Sequence, residues 1–582
     1  MTGNGRARYF FGPGDRAAIA ERAGREFPDE CAWWAESADR FLAGYVKLPT
    51  SFASDWTFIG KAPDWDWNRR HPEDVEFLWS LSRCYPLNDL ARAWAVSGED
   101  KYAAGWAAAI DGWIRSCPHR LEYESVSAAN GKHPWRILEA GFRLFDAWPF
   151  GLAVLEGHPA ITPELEARIR ESAAEQAAFI RRWSPATWPR ANHNHYLYEM
   201  SGLLFAGLFL LDDPELAAFA TRELDRCIGT QFNADGGQIE ACPSYHNGCV
   251  RRGLLDLRIA GLNGIAFSAD WDGILRRAAR FSAIVSRPDG SSVPVGDSDS
   301  ISPPSAFWFA APDTASPRAD VVLWGAAAIL DDAPAAGTVR AGGEWLWYLG
   351  PGQAVPAAGN PPALCSLLKE TGFASFRDRW GADATGATVK WGANWMGHSH
   401  ADLLSFEYYS RGRPVVVDPG RYEYNGTPRR RALKMAAAHS CALPEGHDQA
   451  VYVDSWKWAE TADCAVESWE EGADRIRFAA RLTAKGWRHR RTFTFTPADG
   501  RLVIEDELEL SGSAAGFAVT RFPLAAPEVP GAIACIAGGA ERTVEEIEIS
   551  PRYGVLQESR AVVYRFPFRD GKARASFELR PD

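Results

Sequence analysis

The spacing of apolar residues changes once along the chain, and this change constrains the fold more than any other feature. From about residue 15 to residue 340, apolar residues recur every three or four positions, which is typical of helices. Two such faces consist of Tyr102, Trp106, Ile110, Trp113 and Ile114, and of Leu138, Phe142, Phe145 and Trp148. Thr162 and Asp213 each precede a proline, as a capping residue precedes the first helical position. The pattern predicts an all-α region of about ten to twelve helices.

After Ala335-Ala336-Gly337 the pattern becomes the two-residue alternation of strands. Arg491–Thr496 and Arg501–Leu510 are predicted to be two strands joined by a turn, and alternation returns in Ala561–Phe568 and Ala573–Leu579. A run of helices followed by a run of strands predicts an α+β multidomain protein, divided into residues 1–340 and 341–582.

Charge and composition exclude several classes of protein. A net charge of −12 over 582 residues argues against nucleic acid and membrane surfaces as partners, because no broad basic face is present. The absence of an apolar signal segment or of 18 consecutive apolar residues predicts a cytoplasmic protein. The ten cysteines form no CxxC pair and are predicted to be reduced, mostly buried thiols. The 25 tryptophans suit either a large helical core or stacking on sugar rings.

Histidines are concentrated in short stretches that are rich in glycine and proline. Of 12 histidines, seven lie within residues 191–196, 235–246 and 397–447. If residues 398–402 form a strand, His398, His400 and Asp402 project from one face. Asp418 follows a predicted strand, and His439 adds a further imidazole. Two histidines and a carboxylate suit zinc, although a hydrogen-bonded cluster without metal would have the same spacing.

Seven segments together resemble the heparinase II/III-like polysaccharide lyases, which include heparin/heparan-sulfate lyases and oligo-alginate lyases. In family order they are Trp135–Arg143, Asn194–Gly202, Gly236–His246, His398–Asp402, Asp418–Tyr424, Ala438-His439 and His489–Thr492. The resemblance implies an N-terminal incomplete (α/α) toroid followed by a C-terminal antiparallel β-sandwich, with the active site in the cleft between them.

The resemblance also implies β-elimination, in which a base removes the C5 proton of a uronate and an acid protonates the leaving oxygen at C4. Asn194 and His195 would neutralise the substrate carboxylate, and Tyr245 would act as general base and acid. His398 would be the partner acid or base from the sandwich side, with Tyr424 assisting. His400, Asp418 and His439 would hold one structural zinc per chain. The candidate substrate contacts are Trp135, Arg136, Glu139, Arg143, His193, His246 and Tyr422, the last also an alternative to Tyr424.

Several assignments have structural alternatives. Asn192-His193 duplicates Asn194-His195, and the second pair is preferred because Glu199 and Gly202 follow it at the family spacing. Asn194 could instead cap a helix, and Tyr245 could cap a helix and bond to Glu240. The helix face from Trp135 to Arg143 could be only a salt-bridged surface. Arg429–Arg431 could contact an anionic substrate or form a solvated loop, and Ser440 stands where many relatives have asparagine.

The leading hypothesis is a lyase acting on anionic uronate-containing oligo- or polysaccharides, with glycosaminoglycans of the heparin/heparan type favoured over alginate. A glycoside hydrolase on a helical toroid would need two opposed carboxylates, for which Glu240, Asp297 and Asp299 are the candidates. A non-catalytic glycan-binding protein is a third hypothesis. The sequence leaves the oligomeric state open, a homodimer included.

Overall fold

The structure is a computed structural model. It describes residues 7–48, 52, 55–66, 74–118, 125–300, 318–332, 342–354, 359–511, 516–528 and 533–581. Its α-helices are α1 (Arg16–Glu26), α2 (Pro28–Leu42), α3 (Val75–Ser82), α4 (Tyr85–Ser97), α5 (Asp100–Ser116), α6 (Val126–Ala129), α7 (Ile137–Phe145), α8 (Ala147–Val154), α9 (Pro163–Thr187), α10 (Asn194–Phe205), α11 (Pro214–Gln231), α12 (Pro243–Leu262), α13 (Trp271–Val285), α14 (Ala319–Leu330), α15 (Gly343–Leu349) and α16 (Pro428–Lys434).

The strands lie almost entirely in the second half of the chain. They are β1 (Tyr45–Val46), β2 (Thr57–Phe58), β3 (Ser366–Leu368), β4 (Phe373–Arg377), β5 (Gly386–Lys390), β6 (Ser405–Ser410), β7 (Arg413–Val416), β8 (Ala442–Pro444), β9 (Val451–Asp454), β10 (Lys457–Ala459), β11 (Asp463–Glu471), β12 (Ile476–Ala484), β13 (Trp487–Thr496), β14 (Arg501–Leu510), β15 (Phe517–Pro523), β16 (Ile533–Ala537), β17 (Glu541–Arg552), β18 (Val555–Pro567) and β19 (Lys572–Leu579).

The predicted helix signals are confirmed at both capping sites. The side chain of Thr162 accepts a hydrogen bond from the third residue of α9, and that of Asp213 does the same for α11. The face predicted from Leu138 to Trp148 is divided into α7 and α8, because the backbone leaves the helical conformation at Asp146. Fifteen helices lie within the described part of residues 7–354, more than the ten to twelve expected, since some are as short as α6.

The helices pack in succession around an incomplete toroid, in which α15 contacts both α14 and α1. Trp345 and Trp347 of α15 are fully buried in the helical core. Residues Gly343–Leu349 therefore pack as part of the helical core. The predicted change of pattern at 335–337 lies outside the described residues.

The second domain is an antiparallel β-sandwich. Its sheets have the strand orders β11-β12-β13-β14-β19-β16, β17-β18-β15-β8 and β3-β4-β5-β6-β7. Thr496 pairs with Arg501 across the predicted turn, which confirms that hairpin. The three sheets share one core, in which the ring of Phe406 lies 5.7 Å from Phe493 and 6.0 Å from Phe522.

Tryptophans and cysteines serve mainly to fill the interior. Ten tryptophans are among the largest fully buried side chains, and all ten cysteines are free thiols, seven of them buried. Within the described helices, none is both long enough and apolar enough to cross a membrane.

Polar contacts fix the sandwich against the end of the toroid. Arg287, which follows α13, donates from Nε and Nη2 to the two carboxylate oxygens of Glu407 on β6, at 2.9 and 2.7 Å. Both side chains are buried, and the charged groups are therefore desolvated together. Asp235 accepts hydrogen bonds from the backbone nitrogens of Glu370 and Thr371, each at 2.8 Å.

We expect Arg287→Met to lower the free energy of unfolding by about 3–5 kcal/mol, because it leaves the Glu407 carboxylate buried without its cation. Urea unfolding followed by tryptophan fluorescence measures the change. The double variant Arg287→Met/Glu407→Leu should recover much of the loss. Arg429→Met, which removes an exposed pair with Glu548, should change stability by less than about 1 kcal/mol. Equal stability of Arg287→Met and wild type would show that the pair does not hold the domains.

Candidate active site

A cavity of about 350 Å³ lies between the toroid and the sandwich. Helical residues form one wall, and the loops that follow β5 and β7 and the tip of the β9–β10 hairpin form the other. The lining residues are Glu76, Trp79, Arg83, Arg136, Leu138, Trp188, His193, His195, Tyr245, Gly397, His398, Tyr424 and Trp456. Six of the predicted site residues are therefore brought together: Arg136, His193, His195, Tyr245, His398 and Tyr424.

Tyr245 lies in the first turn of α12, and its hydroxyl faces two partners from the sandwich. It forms a hydrogen bond with the hydroxyl of Tyr424 and accepts one from Nη1 of Arg421 at 3.2 Å. Its ring stacks on His398 with 4.0 Å between centroids. Burial raises the pKa of Tyr245 well above its usual value, and the Arg421 charge acts in the opposite direction. The hydroxyl is not bonded to Glu240, so the capping alternative does not describe it.

His398 occupies a turn, because residues 398–402 do not form the strand considered from the sequence. Its ring nevertheless faces a carboxylate at each nitrogen, with a hydrogen bond at Nδ1. Nδ1 lies 2.9 Å from Oδ2 of Asp297, and Nε2 lies 3.6 Å from Oε2 of Glu240. The other oxygen of Asp297 lies 2.9 Å from Nε2 of His400. One carboxylate thus contacts both imidazoles.

The Asp297 carboxylate is fully buried and is neutralised by Arg430. The guanidinium contacts both of its oxygens, with Nη2 to Oδ2 at 2.8 Å. Burial alone would raise the pKa of Asp297, but Arg430 and the two histidine contacts hold it well below its usual range. In the run Arg429–Arg431, the middle residue is therefore a buried ion-pair partner, contrary to both expectations for the run.

A close backbone approach brings Asp297 to this place. Its N–H donates to the carbonyl oxygen of His398 at 3.0 Å. Gly296 has φ +61°, and a Cβ there would lie 2.7 Å from the same carbonyl oxygen. Only glycine fits this contact without displacement of the backbone.

His193 and His195 face the cavity as neutral rings. His193 caps α10, its Nδ1 accepting the N–H of His195 at 3.2 Å, and its ring stacks on Trp188 at 3.9 Å. Burial lowers the pKa of His193 to about 4 and that of His195 well below its usual value. Among the described lining residues, the permanent cations are therefore Arg83 and Arg136.

Asn194 does not line the cavity, although it was predicted to contact the substrate. Its amide nitrogen lies 2.9 and 3.0 Å from the two oxygens of Glu240, and its backbone N–H donates to the same carboxylate. The side chain is fully buried as the first residue of α10. Its position supports Glu240, which in turn faces His398.

The predicted contacts on α7 and on the two residues before it divide into two groups. Arg136 lies 3.7 Å from the centre of the Trp79 ring, and its Nη1 is 3.4 Å from Glu139. Glu139 lies beneath the cavity and also pairs with Arg83 at 3.1 Å. Trp135 and Arg143 are buried in the helical core, where they bond to the Cys117 carbonyl and to Gln176.

Two further candidate contacts also lie away from the cavity. His246 is buried against α13, where its Nε2 lies 3.0 Å from the carbonyl oxygen of Ala278. Tyr422 packs against the ring of Phe52, with 5.6 Å between centroids, and does not line the cavity. The same lining includes residues that the motifs had not indicated.

The sequence pattern could have indicated three of those lining residues. Glu76, Trp79 and Arg83 recur at i, i+3 and i+7, so they lie on one face of the apolar helix α3 and its end, where two of them are charged. Trp456 had none, because it reaches the cavity only through the β9–β10 hairpin, where its ring lies 5.5 Å from His398. Burial raises the pKa of Glu76 to about 7.

The carboxylates considered for hydrolysis are occupied elsewhere. Glu240 bonds to Asn194, Asp297 to Arg430, and Asp299 to Arg421 at 2.8 Å. In the described lining of the cavity, Glu76 is the only carboxylate. An opposed pair, as a glycosidase needs, is therefore not found among these residues.

His400, Asp418 and His439 form a buried cluster beside the cavity, with one potential ligand atom of each within 4.8 Å of the others. Nδ1 of His400 and Nε2 of His439 are buried, and neither has a hydrogen-bond partner among the described atoms. Asp418 accepts from Nδ1 of His439 at 2.9 Å. Two unpartnered imidazole nitrogens next to a carboxylate fit a metal ion. Asp402, the other candidate on that segment, is not part of the cluster.

Comparisons with known proteins agree over most of the chain. Residues 36–307 match the family model for the heparinase II/III N-terminus, and residues 360–580 match that for the heparinase II/III-like C-terminal domain. A heparin-sulfate lyase of Bacteroides stercoris is 26% identical over 462 residues, which is 76% of this chain and 64% of that protein. One from Pedobacter heparinus is 25% identical over 368 residues, 62% of this chain and 50% of that one. The chain thus spans less than two thirds of the length of these relatives.

The fold is also similar to that of a solved heparinase structure. A crystal structure of heparinase III superposes with a TM-score of 0.73 and 16% identity, covering 100% of this chain and 87% of that one. The order of helical toroid and β-sandwich is therefore shared. With both of its family models matched in sequence order, the chain belongs to the heparinase II/III-like family.

Proposed function

We propose that this protein is a polysaccharide lyase that cleaves uronate-containing glycans by β-elimination. The observation that supports this most directly is the convergence of Tyr245, His398 and two arginines on one cavity whose described lining has a single carboxylate. A tyrosine with a cation beside its oxygen suits removal of a proton next to a carboxylate. Heparin/heparan-type substrates are favoured, because the two relatives described above are heparin-sulfate lyases.

In this mechanism Tyr245, as the phenolate, accepts the C5 proton of the uronate. The C4–O bond breaks, a C4–C5 double bond forms, and Tyr245 returns its proton to the leaving oxygen. His398 stacks on the Tyr245 ring and, held by Asp297, keeps that ring in place at the sandwich side of the cavity. Each turnover moves one proton within the site and restores the starting state.

The negative charge that develops on the substrate carboxylate needs preorganised donors. Because His193 and His195 are neutral and Asn194 is bonded to Glu240, we assign the charge to Arg83 and Arg136 and the hydrogen bonding to the two imidazoles. Asn194 then supports the site through Glu240. This differs from the assignment made from the family pattern, in which Asn194 and His195 both neutralise the carboxylate.

The function is tested with a panel of heparan, heparin, chondroitin and alginate chains and oligomers, watched by ultraviolet absorbance for the new C4–C5 double bond. Growth of absorbance with heparan or heparin supports the proposal. Growth of absorbance with alginate alone would indicate an oligo-alginate lyase, the alternative within the family. New reducing ends without a rise in absorbance would indicate a hydrolase. No reaction with any of these chains would favour a non-catalytic glycan-binding protein.

We expect Tyr245→Phe to lower kcat by at least about 10²- to 10⁴-fold, because one atom serves as both base and acid. The ring still packs on His398, so the melting temperature and the Kd for an intact oligosaccharide should change little. Absorbance assays measure kcat, and calorimetry measures the melting temperature and the Kd. A variant that keeps more than about a tenth of the normal rate would remove Tyr245 from the mechanism.

The pKa of Glu76 near 7 predicts that the cavity acquires a negative charge as the pH rises from 6 to 8. Affinity for an anionic oligosaccharide should fall by about tenfold over this range, the effect of roughly 1.4 kcal/mol of repulsion at an effective dielectric of about 20. Calorimetry in the Tyr245→Phe background avoids turnover. Adding Glu76→Gln should remove most of the change in affinity with pH. If affinity in that double variant still falls equally with pH, another group causes the change.

We also propose that His400, Asp418 and His439 hold one structural zinc ion. Their buried, unpartnered imidazole nitrogens and the adjacent carboxylate support this assignment. A zinc ion there would cross-link three segments of the sandwich: the turn at 398–402, the end of β7 and the residues after α16.

Elemental analysis should find about one zinc per chain, and His439→Ala should lose it and melt at a lower temperature. His447→Ala is the matched control, because His447 is exposed and its ring contacts the carbonyl oxygen of Glu445, outside the cluster. Protein that carries no metal after purification and is unaffected by chelators would identify the cluster as hydrogen-bonded only.

A further inference from the structure

Arg421 is a buried cation at the reacting oxygen to which neither motif nor family pattern assigned a role. Its side chain is 2% exposed, and it is the guanidinium that contacts the hydroxyl of Tyr245, through Nη1 at 3.2 Å. Nη2 donates to Asp299 at 2.8 Å. The guanidinium also lies 4.7 Å from the centre of the Tyr424 ring. It is therefore fixed between the two tyrosines and one carboxylate.

We propose that Arg421 is a catalytic residue that stabilises the Tyr245 phenolate, and that Asp299 is the residue that positions it. This inference rests on the proposed role of Tyr245 as base. A neutral phenol in an apolar cavity is a poor base, because burial opposes its ionisation. A guanidinium in hydrogen-bond contact with the oxygen favours the ionised form by both charge and hydrogen bonding.

None of the other titratable groups around Tyr245 places a cation at its oxygen, although the Tyr424 hydroxyl is hydrogen-bonded to it. They are Tyr424, His398, Glu76, Asp297 and Cys242. The carboxylates and the thiol raise the pKa of Tyr245, whereas Arg421 lowers it. His398 meets the ring face and directs its nitrogens to Asp297 and Glu240. Arg421 is thus the cation placed at the oxygen.

Asp299 belongs to a segment in which three consecutive residues each hold one part of the site. Asp297 bonds to His398, and Ser298 accepts the N–H of Ser244 at 3.1 Å, next to Tyr245 in α12. Asp299 orients Arg421 and accepts the N–H of Tyr553 at 3.0 Å. This segment comes from the toroid, whereas Arg421 comes from the sandwich, so the Arg421–Asp299 pair forms only when the domains are correctly packed.

During turnover the cation would act twice at the same oxygen. It stabilises the phenolate before the C5 proton is transferred, and it stabilises it again after the proton passes to the leaving oxygen at C4. Between these steps the phenol is neutral and Arg421 keeps its bond to Asp299. The cation gives up no proton, so the balance of the elimination is unchanged.

The test compares Arg421→Ala, Arg421→Lys and Arg421→Gln with the exposed control Arg431→Ala, using the absorbance assay across pH. We expect Arg421→Ala and Arg421→Gln to lower kcat by about 10²- to 10³-fold, as for loss of one preorganised donor, with little change in KM. The rise of kcat with pH should move to higher pH in Arg421→Gln, since the phenolate loses its cation. Arg421→Lys should retain more activity, and millimolar guanidinium should partly restore Arg421→Ala.

Asp299→Asn tests the positioning role. The loss of kcat caused by this substitution should largely disappear in the Arg421→Gln background, because the two residues act as one unit. A normal rate in Arg421→Gln, or a loss with an unshifted pH profile and no rescue by lysine or guanidinium, would overturn the inference. If Arg421→Ala does not fold, the lysine and glutamine variants still decide it. Tyr245→Phe is measured in parallel: an active Phe variant refutes the proposed base itself, whereas an inactive one with active Arg421 variants refutes only this inference.

Discussion

The buried carboxylate of Asp297 is the interaction on which the rest of the site depends. It comes from the toroid, and its partners His398, His400 and Arg430 all come from the sandwich. An isolated charge in that position would be very costly, so the carboxylate and the guanidinium must be buried together. Docking of the two domains therefore sets the orientation of the cavity imidazole at the same time.

The same carboxylate links the cavity to the cluster of His400, Asp418 and His439. Since Nε2 of His400 faces Asp297, the nitrogen left toward the cluster is Nδ1, which is the atom without a partner. A ligand imidazole commonly donates its second N–H to a carboxylate, which fixes its tautomer. Asp297 thus contacts both His398 and the His400 imidazole of the cluster, so one residue orients both rings.

The sequence predicted what depends on local pattern and missed what depends on domain packing. Helix starts at Thr162 and Asp213 and the hairpin at Thr496 follow from capping and alternation, which are local. The convergence of Tyr245 and His398 was available only through resemblance, because about 150 residues separate them. Trp456 and Arg421 could not be found, since their surroundings are created by distant segments. Asn194 was predicted to contact the substrate; its amide bonds to the Glu240 carboxylate, 46 residues away, a contact that local pattern does not indicate.

The charge balance of the cavity explains why its base would be a tyrosine. A carboxylate base would be a second negative charge beside an anionic sugar, and a histidine buried like His193 loses basicity as its pKa falls to about 4. In the proposed mechanism the base is the Tyr245 phenolate, whose charge is balanced by the Arg421 guanidinium at its oxygen, and the phenol is neutral only between the two proton transfers. Arg83 and Arg136, which both pair with Glu139, would then bind the substrate carboxylate. Separate cations for the two developing negative charges allow both to exist within one small, buried site.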